Sequence, residues 1–183
     1  MIVALGETLL ATGAMLAEAE QWNLPVLSAM LATFLGTLAM WWLYFGTSSK
    51  DATEAITRSD DPGRIGAYFH YVHAILIAGI IATAVGNDLV MVHPHEGVKP
   101  AYGLILALGP ILYLAGSAIY KRIVFGAVPV SHVAGAALLA ALIPVLLRTD
   151  LLAAGWLTSA VMLGVGLWEG RIRRAVRAPS ADH

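Results

Sequence analysis

The chain has 183 residues, 58% of them hydrophobic and only 13% charged, with a formal net charge of −1. Soluble domains are nearer half apolar and a quarter charged, so a chain of this composition buries surface in lipid and not only in itself. The small net charge argues against nucleic acid or another polyanion as partner, and the lack of cysteine excludes disulfides, thiolate metal sites and cysteine nucleophiles.

A helix crossing the hydrocarbon core needs about 20 apolar residues. Six stretches qualify: 1–17, 24–46, 65–92, 101–120, 130–147 and 151–169. The expected fold is therefore all-α, a polytopic integral membrane helix bundle over 1–170. A basic tail, 171–183, reads as disordered. The first stretch, MIVALGETLLATGAMLA, has no basic leader and no small-residue cleavage site before a soluble domain, so it reads as a span and not a signal peptide. It enters its apolar run directly at Met1, which raises the expectation of a shortened protein or the second part of a longer one. The second stretch closes on Trp41, Trp42, Tyr44 and Phe45. Residues 47–64 form the only sizeable polar loop. Its run Ser59-Asp60-Asp61-Pro62-Gly63 is turn chemistry, and a short interfacial helix is conceivable at its start.

Small residues recur at four-residue spacing in the second, third and sixth stretches: Ala32/Gly36, Ala78/Ala82/Gly86 and Gly166/Gly170. In lipid, where helices associate by close packing, these read as contact faces. Pro110 and Pro144 interrupt the fourth and fifth stretches and are expected to kink them.

Six spans place both termini on one side. That side holds Lys50, Arg58, Arg64, Lys121, Arg122, Arg171, Arg173, Arg174 and Arg177, against Lys99 and Arg148 opposite. Basic residues stay cytoplasmic, so the expectation is a multi-pass protein of the cell (inner) membrane with both termini inside.

Ionisable groups within spans are costly and merit a functional hypothesis. Glu7 falls in the first span, and His70 and His73 share a helix face at i and i+3 in the third. His132 opens the fifth span and Glu169 closes the sixth. All five fall in the cytoplasmic half when each span is counted from its own end. Together they form the candidate proton or cation site, with His70 and His73 expected to face inward within reach of Glu7. The competing reading makes the histidines packing glue and Glu7, His132 and Glu169 interfacial residues, Glu169 paired with Arg173 at i+4. Asp88, five helical turns beyond His70, is expected to cap a helix or bind Arg148 at the far end. His93, His95 and Glu96 in the loop "HPHEG" are weak metal candidates, since a metal site needs three or four converging ligands. No phosphate loop, GxSxG elbow, HExxH or DxDxDG motif is present, so neither an enzyme nor a cofactor is expected.

In order, "IVALGETLLATGA", a span ending "WWLYF", a polar loop and "AYFHYVHAILIAGIIATAVG" resemble the bacterial low temperature requirement A family. The likeness is carried by an "ALGE" segment, the tryptophan-rich helix end and a "H…AGI…A.G" helix. It covers the first half strongly and the rest by hydropathy and the basic tail. Glu7, Trp41, Trp42, Tyr44, Phe45, His70 and Gly79 fall on the shared segments. The family is named for a growth phenotype in the cold, and the resemblance implies no catalytic or ligand residue. Members are usually about twice this length, and this chain resembles their C-terminal half. The implied partners are the bilayer and either further copies or a missing N-terminal half. Two function classes stay open: a transporter- or channel-like protein, or a membrane scaffold or subunit of a larger assembly.

Overall fold

The structure, a computed structural model, describes residues 1–18, 23–46 and 62–177. These residues form a bundle of six helices: α1 (Ile2–Glu18), α2 (Leu24–Phe45), α3 (Pro62–Val92), α4 (Pro100–Phe125), α5 (Val130–Leu146) and α6 (Leu151–Arg177). The conceivable interfacial helix, the Ser59–Asp61 turn and the last six residues of the tail lie outside the described residues.

The boundaries follow from local chemistry. Asn23 caps α2, its side chain accepting from the Val26 amide at 3.1 Å, with proline in the first turn. Pro62 and Pro100 start α3 and α4, where the missing N–H has no helical partner to lose. Gly126 ends α4 at φ 74°, a left-handed conformation that glycine adopts without a Cβ penalty. Two ends differ from expectation. α4 continues past residue 120 to Phe125, and α6 runs through Arg177, so the first part of the basic tail is helical.

Four helices are long and apolar enough to cross a membrane, while α1 and α5, at 17 residues each, sit at the short limit. Large apolar side chains point outward all round: Leu24, Phe34 and Trp41 on α2, Ile81 and Val85 on α3, Leu108 on α4, Val133 on α5 and Leu167 on α6. In water such an exterior would aggregate; in lipid it is the correct solvent face. The chain is an integral membrane protein.

α3 packs most extensively on α4, and α6 on α2, while among the described residues α1 touches only α2 and α3. The α3–α4 contact is close because glycines face backbone. A Cβ on Gly79 would lie 2.6 Å from the Tyr113 nitrogen, and one on Gly109 2.7 Å from the Thr83 nitrogen. α4 and α5 continue unbroken through Pro110 and Pro144 respectively. Polar bonds cross elsewhere: Tyr113 donates to the Met40 carbonyl at 2.5 Å, Ser159 to the Ala32 carbonyl at 2.8 Å and Trp156 to Ser28 at 3.0 Å.

One end of the bundle is tied by main chain. The α3–α4 loop and the α5–α6 turn exchange bonds from Val98 N to Thr149 O (3.1 Å), Leu151 N to Glu96 O (3.0 Å) and Leu152 N to Pro94 O (2.9 Å). Gly97 and Asp150 form an isolated antiparallel bridge there.

Candidate functional site

At the opposite end, α4, α5 and α6 enclose an ionic cluster. Ser117 and Lys121, at i and i+4 on α4, look inward. The Lys121 ammonium donates to Glu169 Oε1 on α6, and the two side chains are only 2% and 9% exposed. His132, in the first turn of α5, brings Nδ1 to 3.5 Å from Glu169 Oε2. Its Nε2 lies 3.0 Å from Ser117 Oγ, and Nδ1 lies 3.2 Å from Ser131 Oγ. A carboxylate thus sits between an ammonium and an imidazole, with hydroxyls on both ring nitrogens. Hydroxyls donate or accept, so the ring can change tautomer or charge without losing its neighbours.

His73 belongs to the same layer. Its Nδ1 is 2.7 Å from the Phe69 carbonyl, which only accepts, so that nitrogen carries the proton. In the neutral ring Nε2 therefore accepts from the Tyr44 hydroxyl at 2.7 Å. If His73 charged, Nε2 would become a donor and the Tyr44 hydroxyl would have to turn and accept. The Tyr120 ring lies 5.7 Å from both Tyr44 and His73, and its neighbour in sequence is Lys121. Tyr120 therefore sets His73 against α4 at the same end of the bundle as the Lys121–Glu169–His132 cluster.

Of the five expected site residues, the structure brings together His132 and Glu169, with His73 nearby. It does not bring in the other two. His70 is exposed on α3, where its ring meets the edge of Tyr71. Glu7 is exposed on α1, in a groove shared with α3 and lined by Ile77, Ile80, Ile81, Ala84 and Asp88. Glu7 is therefore level with the turns of α3 around residues 80–84. At 1.5 Å per residue, that is about 15–20 Å along the helix from His70. The discrepancy has a physical cause: α1 begins beside Trp41, about one turn inside the Phe45 end of α2, so Glu7 lies deeper than a count from the membrane edge implies. Glu169 is not interfacial; its partner is Lys121, and the Arg173 side chain lies outside the described residues. Asp88 has neither cap nor ion pair among the described residues and lines the α1–α3 groove instead.

Sequence reasoning missed Lys121, which it assigned to a loop because the fourth apolar run ends at 120. The signal was the spacing Tyr113, Ser117, Lys121, one polar side chain per turn on a single face.

Among the described residues no group of three His, Asp or Glu side chains converges to hold a metal. Glu96 pairs with Lys99 at the loop surface. That hydrogen bond holds the Glu96 carboxyl below, and the Lys99 ammonium above, their ordinary ranges.

A second polar spot lies where α2, α3, α4 and α6 meet beside Pro110. Thr83, Asn87, Thr158 and Ser159 line a cavity of about 10 Å³. That is room for a single water and no substrate. Each hydroxyl already donates to a carbonyl, Thr83 to Gly79, Thr158 to Ala154 and Ser159 to Ala32.

Comparison with known proteins fits this architecture. The family model for the bacterial low temperature requirement A protein (LtrA) matches residues 1–167. An uncharacterized protein of Rhizobium meliloti (strain 1021) is 34% identical over 178 residues, covering 92% of this chain but 41% of that relative. The chain thus spans about two fifths of the length of the curated relative it matches. No solved structure matches. With a family match running from the first helix through most of the sixth, the chain belongs to the bacterial low temperature requirement A family.

Proposed function

We propose that this protein is transporter- or channel-like, not an enzyme, and that the Lys121–Glu169–His132 cluster is its proton- or cation-responsive site. The observation that carries the reading is a nearly completely buried lysine and carboxylate within apolar helices. Burying two charges is expensive even when they pair, and an apolar pair of equal volume is generally at least as stable. Ionisable groups retained within membrane helices commonly mark ion or proton pathways. Neutralising Glu169 would release Lys121, and the resulting acid O–H could donate to His132 Nδ1, which stands 3.5 Å from Oε2. The cluster is thus a switch between two pairings. The basic residues favour an inner-membrane protein with cytoplasmic termini, which puts the cluster on the cytoplasmic side.

The test is flux from proteoliposomes preloaded with a pH-sensitive dye under an imposed potential. The wild-type chain is expected to move protons or a monovalent cation, and Glu169→Gln to abolish the movement while the protein stays folded. No flux from folded wild-type protein would sink the reading. The separation of Glu7 and His70 from the cluster favours the second reading, a non-transporting scaffold or subunit in which the cluster only joins α4, α5 and α6.

A further inference from the structure

Glu7 is an unusual carboxylate for its depth. α1 and α2 share a groove lined by Ile2, Leu5 and Leu9 on one side and Phe34, Leu38 and Trp41 on the other. Glu7 therefore comes level with the middle of α2, which spans Leu24–Phe45. Its other flank faces Ile80, Ile81 and Ala84, the middle of the apolar span Gly66–Val92 of α3. Both neighbours put it near the midplane of the bilayer. Yet Glu7 is exposed and has no hydrogen bond or ion pair among the described residues. The groove around it measures about 470 Å³ and is otherwise apolar, except for Thr8 and for Asp88 at its far end.

Lipid tails offer a carboxylate neither charge nor hydrogen-bond donor, so this face is not a resting place for acyl chains. A second copy docking the same face about a two-fold axis would set acidic grooves against each other. Charge complementarity leaves a cationic occupant. Among the described residues α1 packs on only two neighbours and so presents the flank such an occupant needs.

We propose that the α1–α3 groove docks a transmembrane helix carrying a basic side chain at its middle, which pairs with Glu7. The R. meliloti relative has more than half its length outside the match, chain enough to supply such a helix. This docking is independent of any flux through the Lys121–Glu169–His132 cluster, and either stands if the other fails.

The test uses the full chain in phosphatidylcholine vesicles with synthetic polyleucine transmembrane peptides whose central residue is lysine, leucine or glutamate. The chain has no cysteine, so Val92→Cys at the end of α3 takes a single donor fluorophore, and energy transfer to a labelled peptide reads binding. The lysine peptide is expected to bind at least about tenfold tighter than the leucine peptide, and the glutamate peptide weakest. Glu7→Gln should reduce the lysine preference to below about threefold, while Asp88→Asn keeps most of it. Val85→Trp, which fills the groove, should weaken binding of every peptide, and circular dichroism checks the helix content of each variant. Equal binding of all three peptides, or a lysine preference untouched by Glu7→Gln, would overturn the proposal. So would energy transfer between labelled copies that Val85→Trp abolishes, since the groove would then be a self-association face.

Discussion

Replacing Lys121 by Met keeps the length of the side chain and its packed stem while deleting the ammonium. Glu169 is then left with its carboxylate buried and its closest cation gone. Breaking a buried pair by removing one partner costs about 3–5 kcal/mol, because the remaining charge is stranded. His132 stands 3.5 Å from the other carboxylate oxygen and can take up part of the interaction, so about 3 kcal/mol is the better figure. Glu169→Leu should cost a similar amount, leaving the lysine stranded. The double variant removes both charges and substitutes apolar volume, and should fall within about 1 kcal/mol of wild type or above it. The coupling between the two sites would then be roughly 5 kcal/mol, far beyond the additivity of independent positions. Denaturant unfolding in one detergent, followed by tryptophan fluorescence, measures all four proteins on one scale. Single variants each costing under about 1 kcal/mol, or a double equal to the sum of its singles, would refute the ion pair as described.

Gly79→Ala should destabilise by about 1–3 kcal/mol, since the new methyl meets the Tyr113 backbone, which cannot swing aside; Gly164→Ala, which meets nothing within 4 Å, should be neutral or slightly stabilising in the same melt. The Glu96–Lys99 pair gives the α3–α4 loop a pH window. Glu96 is lowered, so its contribution is present above its unfolded pKa and lost as acid protonates it; Lys99 is raised, so its contribution is present below its unfolded pKa and lost as pH climbs through the folded value. Amide exchange at residues 96–99 should accelerate at both extremes, and a Glu96→Gln chain that keeps the acid limb would disprove the assignment. Reporter fusions at the C-terminus and within residues 93–100 should report opposite sides of the membrane, and agreement between them would break the six-crossing topology.

The helices were legible because apolar runs and their punctuation are local. Asn23-Leu24-Pro25 and Gly126 end or begin helices by chemistry within a turn of themselves. Depth was not legible. Counting Glu7 from Met1 assumes that α1 starts at the membrane surface, and only the packing of α1 against Trp41 and Ile77 reveals that it starts inside. Lys121 was hidden for a related reason. A lysine just past an apolar run looks like a loop residue until an acid from 48 residues further on is seen beside it. Removing it from the basic residues of that side leaves eight, nine less one, against two, so the basic asymmetry behind the proposed orientation is little changed. His73 and His70 share a helix face in outline, yet one bonds Tyr44 and the other faces outward, a distinction set by where α2 lies.

The main-chain ties between the α3–α4 loop and the α5–α6 turn bear on how such a bundle can move. Three amide–carbonyl bonds fix α3, α4, α5 and α6 to one another at that end without using a side chain. No change of protonation loosens them. At the other end α4, α5 and α6 are held instead by the side chains of Lys121, His132 and Glu169. Any motion of α5 and α6 against α3 and α4 would therefore pivot at Gly97–Asp150 and be largest at the charged end. The bundle is tied by main chain at one end and by charged side chains at the other, like tongs with a joint and a latch.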